Sequence, residues 1–369
     1  MCRTLARKLT NKHITTRVTA ITDSIDLDGH NVFKVLNNNT SNNIGCLFHD
    51  NKVIVDENEM HSLLNKSWGQ QFHSKTPPNY LLVSEFLKYL PPATGTPILD
   101  FSVSHLKSII ANKKHTSPGR TGTTWKALQW VPDEYLQRLS ALFQTCYDAE
   151  YKPVKHDHDI TVLLPKPNTD PTPDGFRPIM LLSVEYKLYS QVLTNALTDW
   201  LHTNKTIPEW QNGATAEKGC DASLWQYLCT IKDAHLSHKQ LHALYIDFKK
   251  AYDSVEHWVL QLIFNHLNIG KLGHVIMNML SNTFTNLRVN NRVLDHKFFF
   301  EYSVKQGDVI SPIFFLLFMA PLMFALCAKH KGYYNPTTGM YMNNTAIVDD
   351  VLIVSNSAED SKKALAVVI

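Results

Sequence analysis

A chain of 369 residues, 44% of them hydrophobic, can bury a substantial core and is too apolar to be a disordered segment. Its net charge of +3 neither demands nor excludes a polyanionic partner, because the clustering of charge matters more than its sum. Cys2, Cys46, Cys146, Cys220, Cys229 and Cys327 form no C-x-x-C pair and no zinc-finger spacing, and Met1 to Lys8 lacks the apolar core of a secretory signal. These features predict free thiols in a reducing compartment and an intracellular protein, nuclear or cytoplasmic, rather than a secreted one.

Residues 1 to about 60 are polar and rich in Asn and Thr, with a low-complexity patch at Asn37–Asn43. Short strands are expected around Val32–Leu36 and Val53–Val55, then a helix from Glu57 to Phe72 with Met60, Leu63, Leu64, Trp68 and Phe72 on one face. Prolines at 77, 78, 91, 92 and 97 mark a connector. Residues 1–95 therefore read as an N-terminal extension and 96–369 as the main domain.

From Ile98 the pattern firms up. Helices are expected over Ser104–Ala111, around Trp125–Trp130 and over Asp133–Glu150, after a turn-rich loop at Thr116–Thr124. Ile160–Leu164 reads as a strand stopped by Pro165-Lys166-Pro167, and a proline-rich loop leads to Gly175-Phe176-Arg177-Pro178-Ile179. Lys166 and Arg177 flank one turn. They are either solvated charges or a clamp for a phosphate group, with Arg as a bidentate fork and Lys as a point charge. Helices should follow over Ser183–Leu201 and Asp221–Ala234.

Leu241–Phe248 is apolar, aromatic and β-branched, which predicts a buried strand with Asp247 near its end. Asp253-x-x-Glu256 fits a capping box opening a helix through Leu267. A further helix is expected over His274–Leu280, then a hairpin of Thr285–Val289 and Arg292–Val304 around Asn290-Asn291. Ile310–Ala328 is almost wholly apolar and about as long as a membrane span, but it contains Pro312 and Pro321. A buried core helix starting near Pro312 and kinked at Pro321 is the other reading.

Thr345–Val354 reads as two short apolar strands with Asp349-Asp350 at the bend. Adjacent acids between apolar runs repel each other. Water at a hairpin tip would relieve this, and a divalent cation would relieve it better. Asp247 alone could simply cap a turn. Joined to Asp349 and Asp350 from a neighbouring strand, it would give three carboxylates able to hold two metal ions for in-line phosphoryl transfer.

Six segments in order resemble the reverse transcriptase domain of non-LTR (LINE-like) retrotransposons over roughly residues 95 to 365. They are Ser117-Pro118-Gly119-x-x-Gly122; Leu164-Pro165-Lys166 with Phe176-Arg177-Pro178-Ile179-x-Leu181-Leu182; Gln211-x-Gly213 with Asp221; Asp247-Phe248-Lys249-Lys250-Ala251-Tyr252-Asp253; Lys305-Gln306-Gly307-Asp308 with Ser311-Pro312; and Asp349-Asp350. The resemblance implies an α+β right-hand polymerase, fingers and palm, with a central antiparallel palm sheet backed by helices. Ile310–Ala328 then becomes the buried palm helix, with no membrane involved. Residues 1–95 resemble the connector that precedes the polymerase in such elements.

The resemblance also implies roles. Asp247, Asp349 and Asp350 would bind two Mg²⁺ ions, with Mn²⁺ as a substitute, and carry catalysis. Lys166 and Arg177 would clamp a deoxynucleoside triphosphate. Tyr252 would sit under the sugar and reject a 2′-hydroxyl, although a core aromatic is the plainer reading. Gln306 and Gly307 would shape the nucleotide and template pocket. The partners would be an RNA template and a DNA primer, held mainly through their backbones.

The sequence also departs from the family. Ile347-Val348 replaces the aromatic-Ala pair before the two aspartates, Ser303 stands where Gly is usual, Val309 where Pro is frequent, and Arg120-Thr121 replaces Pro-Asp. The family continues into a thumb where this sequence stops at Ile369, so a copy with the thumb missing is expected. A catalytically inactive or domesticated remnant that only binds nucleic acid or a partner is the alternative to a polymerase. Other polymerases of this fold, intron-encoded or viral, are a third reading that Tyr252 disfavours.

Overall fold

The computed structural model describes residues 44–71, 77–114, 116–152, 158–214, 219–281, 283–290, 292–300, 302–336 and 339–369. The strand expected at Val32–Leu36 and the Asn37–Asn43 patch lie outside them. The chain divides into two compact units: Met1–Gln70 with Thr161–Ile179 and Leu287–His296, and Gln71–Ile160 with Met180–Asn286 and Lys297–Ile369.

The first unit begins with the antiparallel hairpin β1 (Leu47–His49) and β2 (Lys52–Ile54). Its two turn residues, Asp50 and Asn51, have φ of 49° and 60°. That left-handed geometry is tolerated best by Asp and Asn after Gly. Helix α1 (Glu57–Gln71) starts where Asp56 Oδ1 accepts from the Glu59 amide, and it buries Met60, Leu64 and Trp68. These are three of the residues that the 3.6-residue period places on one face.

In the second unit, α2 (Tyr80–Leu87), α3 (Val103–Ala111) and α4 (Trp125–Gln129) open under side-chain caps from Asn79, Ser102 and Thr124. Helix α5 (Asp133–Asp148) follows Pro132 and buries Leu136, Leu139, Phe143 and Cys146. Strands β3 (His158–Pro165) and β4 (Phe176–Leu181), most of whose residues belong to the first unit, come next in the chain, and the second unit continues with α6 (Val184–Thr203), capped by Ser183 and buried around most of its circumference. Helix α7 (Cys220–Leu236) leads into β5 (His242–Ile246), and α8 (His257–Leu267) and α9 (Lys271–Leu280) follow.

Strands β6 (Phe284–Val289) and β7 (Arg292–Phe299) join β3 and β4 in one sheet, ordered β4-β3-β6-β7. The long helix α10 (Ser311–Lys329) precedes β8 (Tyr333–Asn335), β9 (Met340–Met342), β10 (Asn344–Ile347), β11 (Asp350–Ser355) and α11 (Ala358–Val368). Helix α10 runs through Pro321, with 67% of its apolar stretch buried, as a core helix should be. A three-stranded antiparallel sheet, ordered β10-β11-β5, lies in the second unit with α11 against β11 and β5.

Four local expectations are corrected. β5 spans five residues rather than eight and is not fully buried: Tyr245 is 70% exposed. It is one of the two end strands of its sheet. Tyr227 of α7 meets the Tyr245 ring edge-on, with centroids 6.3 Å apart, and accepts a hydrogen bond from its hydroxyl at 2.9 Å. Asp253 does not cap a helix. Lys250, at φ 53°, starts a single 3₁₀ turn over Ala251–Ser254, and α8 begins at His257 with no side-chain cap. Helix α9 starts three residues before its expected beginning, at Lys271, behind Gly270 with φ 70°. β7 stops at Phe299 rather than Val304, because Ser303 and Val304 bond instead to the 3₁₀ turn and its exit, at Val255 O and Tyr252 O.

Candidate active site

Strand pairing gathers the acids. Ile347 pairs with Asp350 across the β10–β11 hairpin, leaving Val348 and Asp349 as a two-residue turn. Val351 pairs with Ile246, so Asp247, the next residue of the chain, lies beside Asp350. Burial pushes the Asp349 carboxyl above its ordinary value; a hydrogen bond from its own backbone amide opposes this, and the charges of Asp350 and Asp247 add to the rise. Tyr252 is raised too, by burial and then by Asp349. Its ring stacks on Phe315 of α10, with centroids 5.4 Å apart and planes at 12°. Tyr252 is therefore both a packed aromatic and a neighbour of the acids.

The donor set suits a hard divalent cation: oxygen ligands only, with a mutual repulsion that a positive charge would relieve. Among the described residues no three His, Cys, Asp or Glu side chains stand ready as a closed cage. Mg²⁺ does not need one, because it is usually held by one or two carboxylates plus substrate phosphates and water.

A second turn, Lys305–Asp308, is built from buried charge. The Lys305 ammonium meets Asp159 Oδ2 at 2.6 Å with both side chains buried. Burial raises the Asp159 carboxyl while Lys305 pulls it back down. Asp308 accepts from the Tyr186 and Ser190 hydroxyls of α6, each at 2.7 Å. Gln306 Nε2 donates to Asp253 Oδ1 at 3.1 Å, and Gln306 O accepts from the Met180 amide at 2.7 Å. Gly307 has φ 122°, and a Cβ there would lie 2.5 Å from Met180 O. The close approach that glycine permits is thus to the chain's own β4 backbone. Ser303, in the family's glycine position, has φ 85°, and its carbonyl accepts from His257 Nε2 at 2.7 Å.

Lys166 and Arg177 belong to the first unit. The Lys166 ammonium donates to Asp174 O at 2.8 Å and its amide to Gly175 O at 2.8 Å, so both cations flank one closed turn as expected. Arg177 is exposed. Gly119 packs on the Leu182–Ser183 backbone, and Arg120 reaches His158 Nε2 at 2.6 Å. Sequence reasoning missed Asp159, Tyr186 and Ser190. The available signals were an acid at the head of an apolar strand and two hydroxyls four residues apart on a helix that is otherwise buried.

A mixed α/β unit with an acidic hairpin turn beside an acid-tipped strand is the class that the fold and site define. Residues 164–369 match the family described as reverse transcriptase (RNA-dependent DNA polymerase), and the chain belongs to that family. It is 24% identical over 282 residues to the RNA-directed DNA polymerase from mobile element jockey of Drosophila melanogaster, covering 74% of this chain and 30% of that one. It is 28% identical over 252 residues to the Pol polyprotein from the type-2 retrotransposable element R2DM of the same organism, covering 65% and 22%. The Pol polyprotein from the type-1 retrotransposable element R2 of Nasonia vitripennis is 24% identical over 275 residues, covering 72% and 25%. The chain thus spans under a third of the length of these relatives.

Proposed function

We propose that this reverse transcriptase domain extends a DNA primer on an RNA template, with Asp247, Asp349 and Asp350 as its catalytic and metal-binding acids. The observation that carries the reading is the convergence of two sheet strands on Asp349, whose carboxyl is pushed up partly by the two neighbouring acids. Bound Mg²⁺, as two ions, or Mn²⁺ would supply charge stabilisation at the primer hydroxyl and at the leaving pyrophosphate. The protein's part is to hold that charge at one place. Asp247 is set by the end of β5, and Asp349 and Asp350 by the β10–β11 turn.

In this reading β5, β10 and β11 form the palm sheet and α10 the palm helix. Tyr252, fixed against Phe315, presents its edge to the sugar of a deoxynucleotide. Gln306 and Gly307 border the nucleotide and template, and Lys166 and Arg177 take the triphosphate. Residues 1–95 serve as the connector to a preceding part of a retroelement protein that works in the nucleus or cytoplasm.

The test is primer extension on an RNA template with Mg²⁺ and deoxynucleotides, comparing the 369-residue chain with Asp349→Ala. Incorporation by the parent that falls by roughly 10³-fold or more in the variant is expected. A second reading, a remnant that binds nucleic acid without copying it, is favoured by the β-branched Ile347-Val348 pair in front of the two aspartates. No incorporation by either protein, with template binding retained, would establish it.

A further inference from the structure

The segment Gln211-Asn212-Gly213 lies outside the acids, yet it is bonded directly to the turn that carries them. Gln211 forms an isolated parallel bridge with Ala346 of β10, and its side chain is buried. Its amide holds Val348 from both sides: Oε1 accepts from the Val348 amide at 2.9 Å, and Nε2 donates to the Val348 carbonyl at 3.1 Å. The same Oε1 accepts from the Gly213 amide at 3.0 Å. Gly213 is pressed so closely onto the turn that a Cβ there would lie 2.4 Å from Val348 N and 2.6 Å from Val348 Cγ2. Asn212 closes the arrangement, with its amide donating to Ala346 O at 2.8 Å and its side chain to Ser223 Oγ at 2.7 Å.

The residue held in this way is the one that needs holding. Val348 has φ 59°, left-handed backbone at a β-branched residue. A two-residue hairpin turn with positive φ at its first position is normally made with Gly, Asn or Asp. Left to itself, a valine would relax toward negative φ and swing Asp349, the next residue, away from Asp350 and Asp247. A side-chain amide that satisfies both the N–H and the C=O of Val348 fixes that peptide orientation.

We propose that Gln211 is a positioning residue of the polymerase site: its side chain clamps the Val348 peptide in left-handed geometry and thereby aims Asp349 at the metal position. Gly213 is small because the clamped turn fills its side-chain space. The inference rests on the polymerase reading of the three acids.

Mn²⁺ binding to the 369-residue chain, followed by electron paramagnetic resonance with a deoxynucleoside triphosphate but no primer or template, tests it apart from activity. Gln211→Met keeps the volume and removes both hydrogen bonds, and it should weaken Mn²⁺ binding by about tenfold or more, as loss of a group that orients a metal ligand does. Adding Val348→Gly, which adopts positive φ without strain, should restore most of that loss. A merely structural role would lower the melting temperature without moving the Mn²⁺ affinity of the folded fraction, and glycine at 348 would not rescue it. Unchanged affinity in Gln211→Met, or a defect that Val348→Gly leaves in place, overturns the clamp. No Mn²⁺ binding by the parent chain overturns the polymerase reading itself, a distinct result.

Discussion

The turn at Ile347–Asp350 and the turn at Lys305–Asp308 belong to one unit, and opposite chemistry holds them. The acid turn is fixed by a neutral amide and a close-packed glycine, with carboxylates left to face one another. The other is fixed by a buried ammonium–carboxylate pair and a carboxylate that accepts two hydroxyls. A turn meant to receive a cation cannot be braced by one, since a fixed lysine would neutralise the acids first. A turn with no such duty can use charge, which resists displacement strongly once it is desolvated.

Breaking the charged brace should have the largest effect on stability. Lys305→Met leaves Asp159 buried without its ion-pair partner, with only the weaker pull of Lys152 in its place, and should cost about 3–5 kcal/mol in chemical denaturation. Changing Asp159→Leu in the same chain should recover most of that, because the cost lies in the orphaned charge. If the single variant loses nothing, the brace is no brace.

Gly307→Ala probes the same turn without touching charge. Its φ of 122° and the 2.5 Å approach to Met180 O predict a loss of about 1–3 kcal/mol. A smaller gain should come from Ser303→Gly, which relieves a non-glycine φ of 85° and should stabilise the chain by roughly 1 kcal/mol in the same assay.

The smallest effect belongs to the acid turn. The Asp349 carboxyl is raised above its ordinary 3.8, so its ionisation costs the folded state. That cost is complete at neutral pH, shrinks as pH falls through the raised value, and is gone below the unfolded one. Asp349→Asn should therefore raise the melting temperature of the metal-free chain slightly at neutral pH and leave it unchanged below the carboxylate range. A uniform effect across pH would mean that the repulsion is not its source.

Most of the helical frame was legible in the sequence: α6 opens under Ser183 and buries the residues its period selects, and α10 is buried as its apolar run requires, whereas α5 buries Leu136, Leu139 and Phe143 but leaves Leu142, on the same apolar pattern, 49% exposed. The acids were legible as charges at strand ends. What could not be read was pairing between distant segments. Asp253 looked like a capping residue because Glu256 stands three places on; only the folded chain brings Gln306 to it. Tyr245 looked buried because strand composition does not say which strand lies at an edge. Gln211 was visible as part of a motif, but its bonds to Val348 span 137 residues, and no local pattern carries that contact.

One feature of the acids' surroundings bears on their behaviour in salt. Asp247 and Asp350 lie on the wall of a cavity of about 660 Å³ whose other lining includes Leu224, Tyr245, Ile246 and Val351. A hydrocarbon wall polarises weakly, so field lines from the carboxylates are turned away from it and concentrated on the watery side. Asp247 and Asp350 therefore act on an approaching cation as if they carried more charge than an equally exposed pair on a polar surface. Mobile ions cannot enter the wall to screen them, and the pull on a divalent ion should decline more gently with ionic strength than that of aspartates in open water.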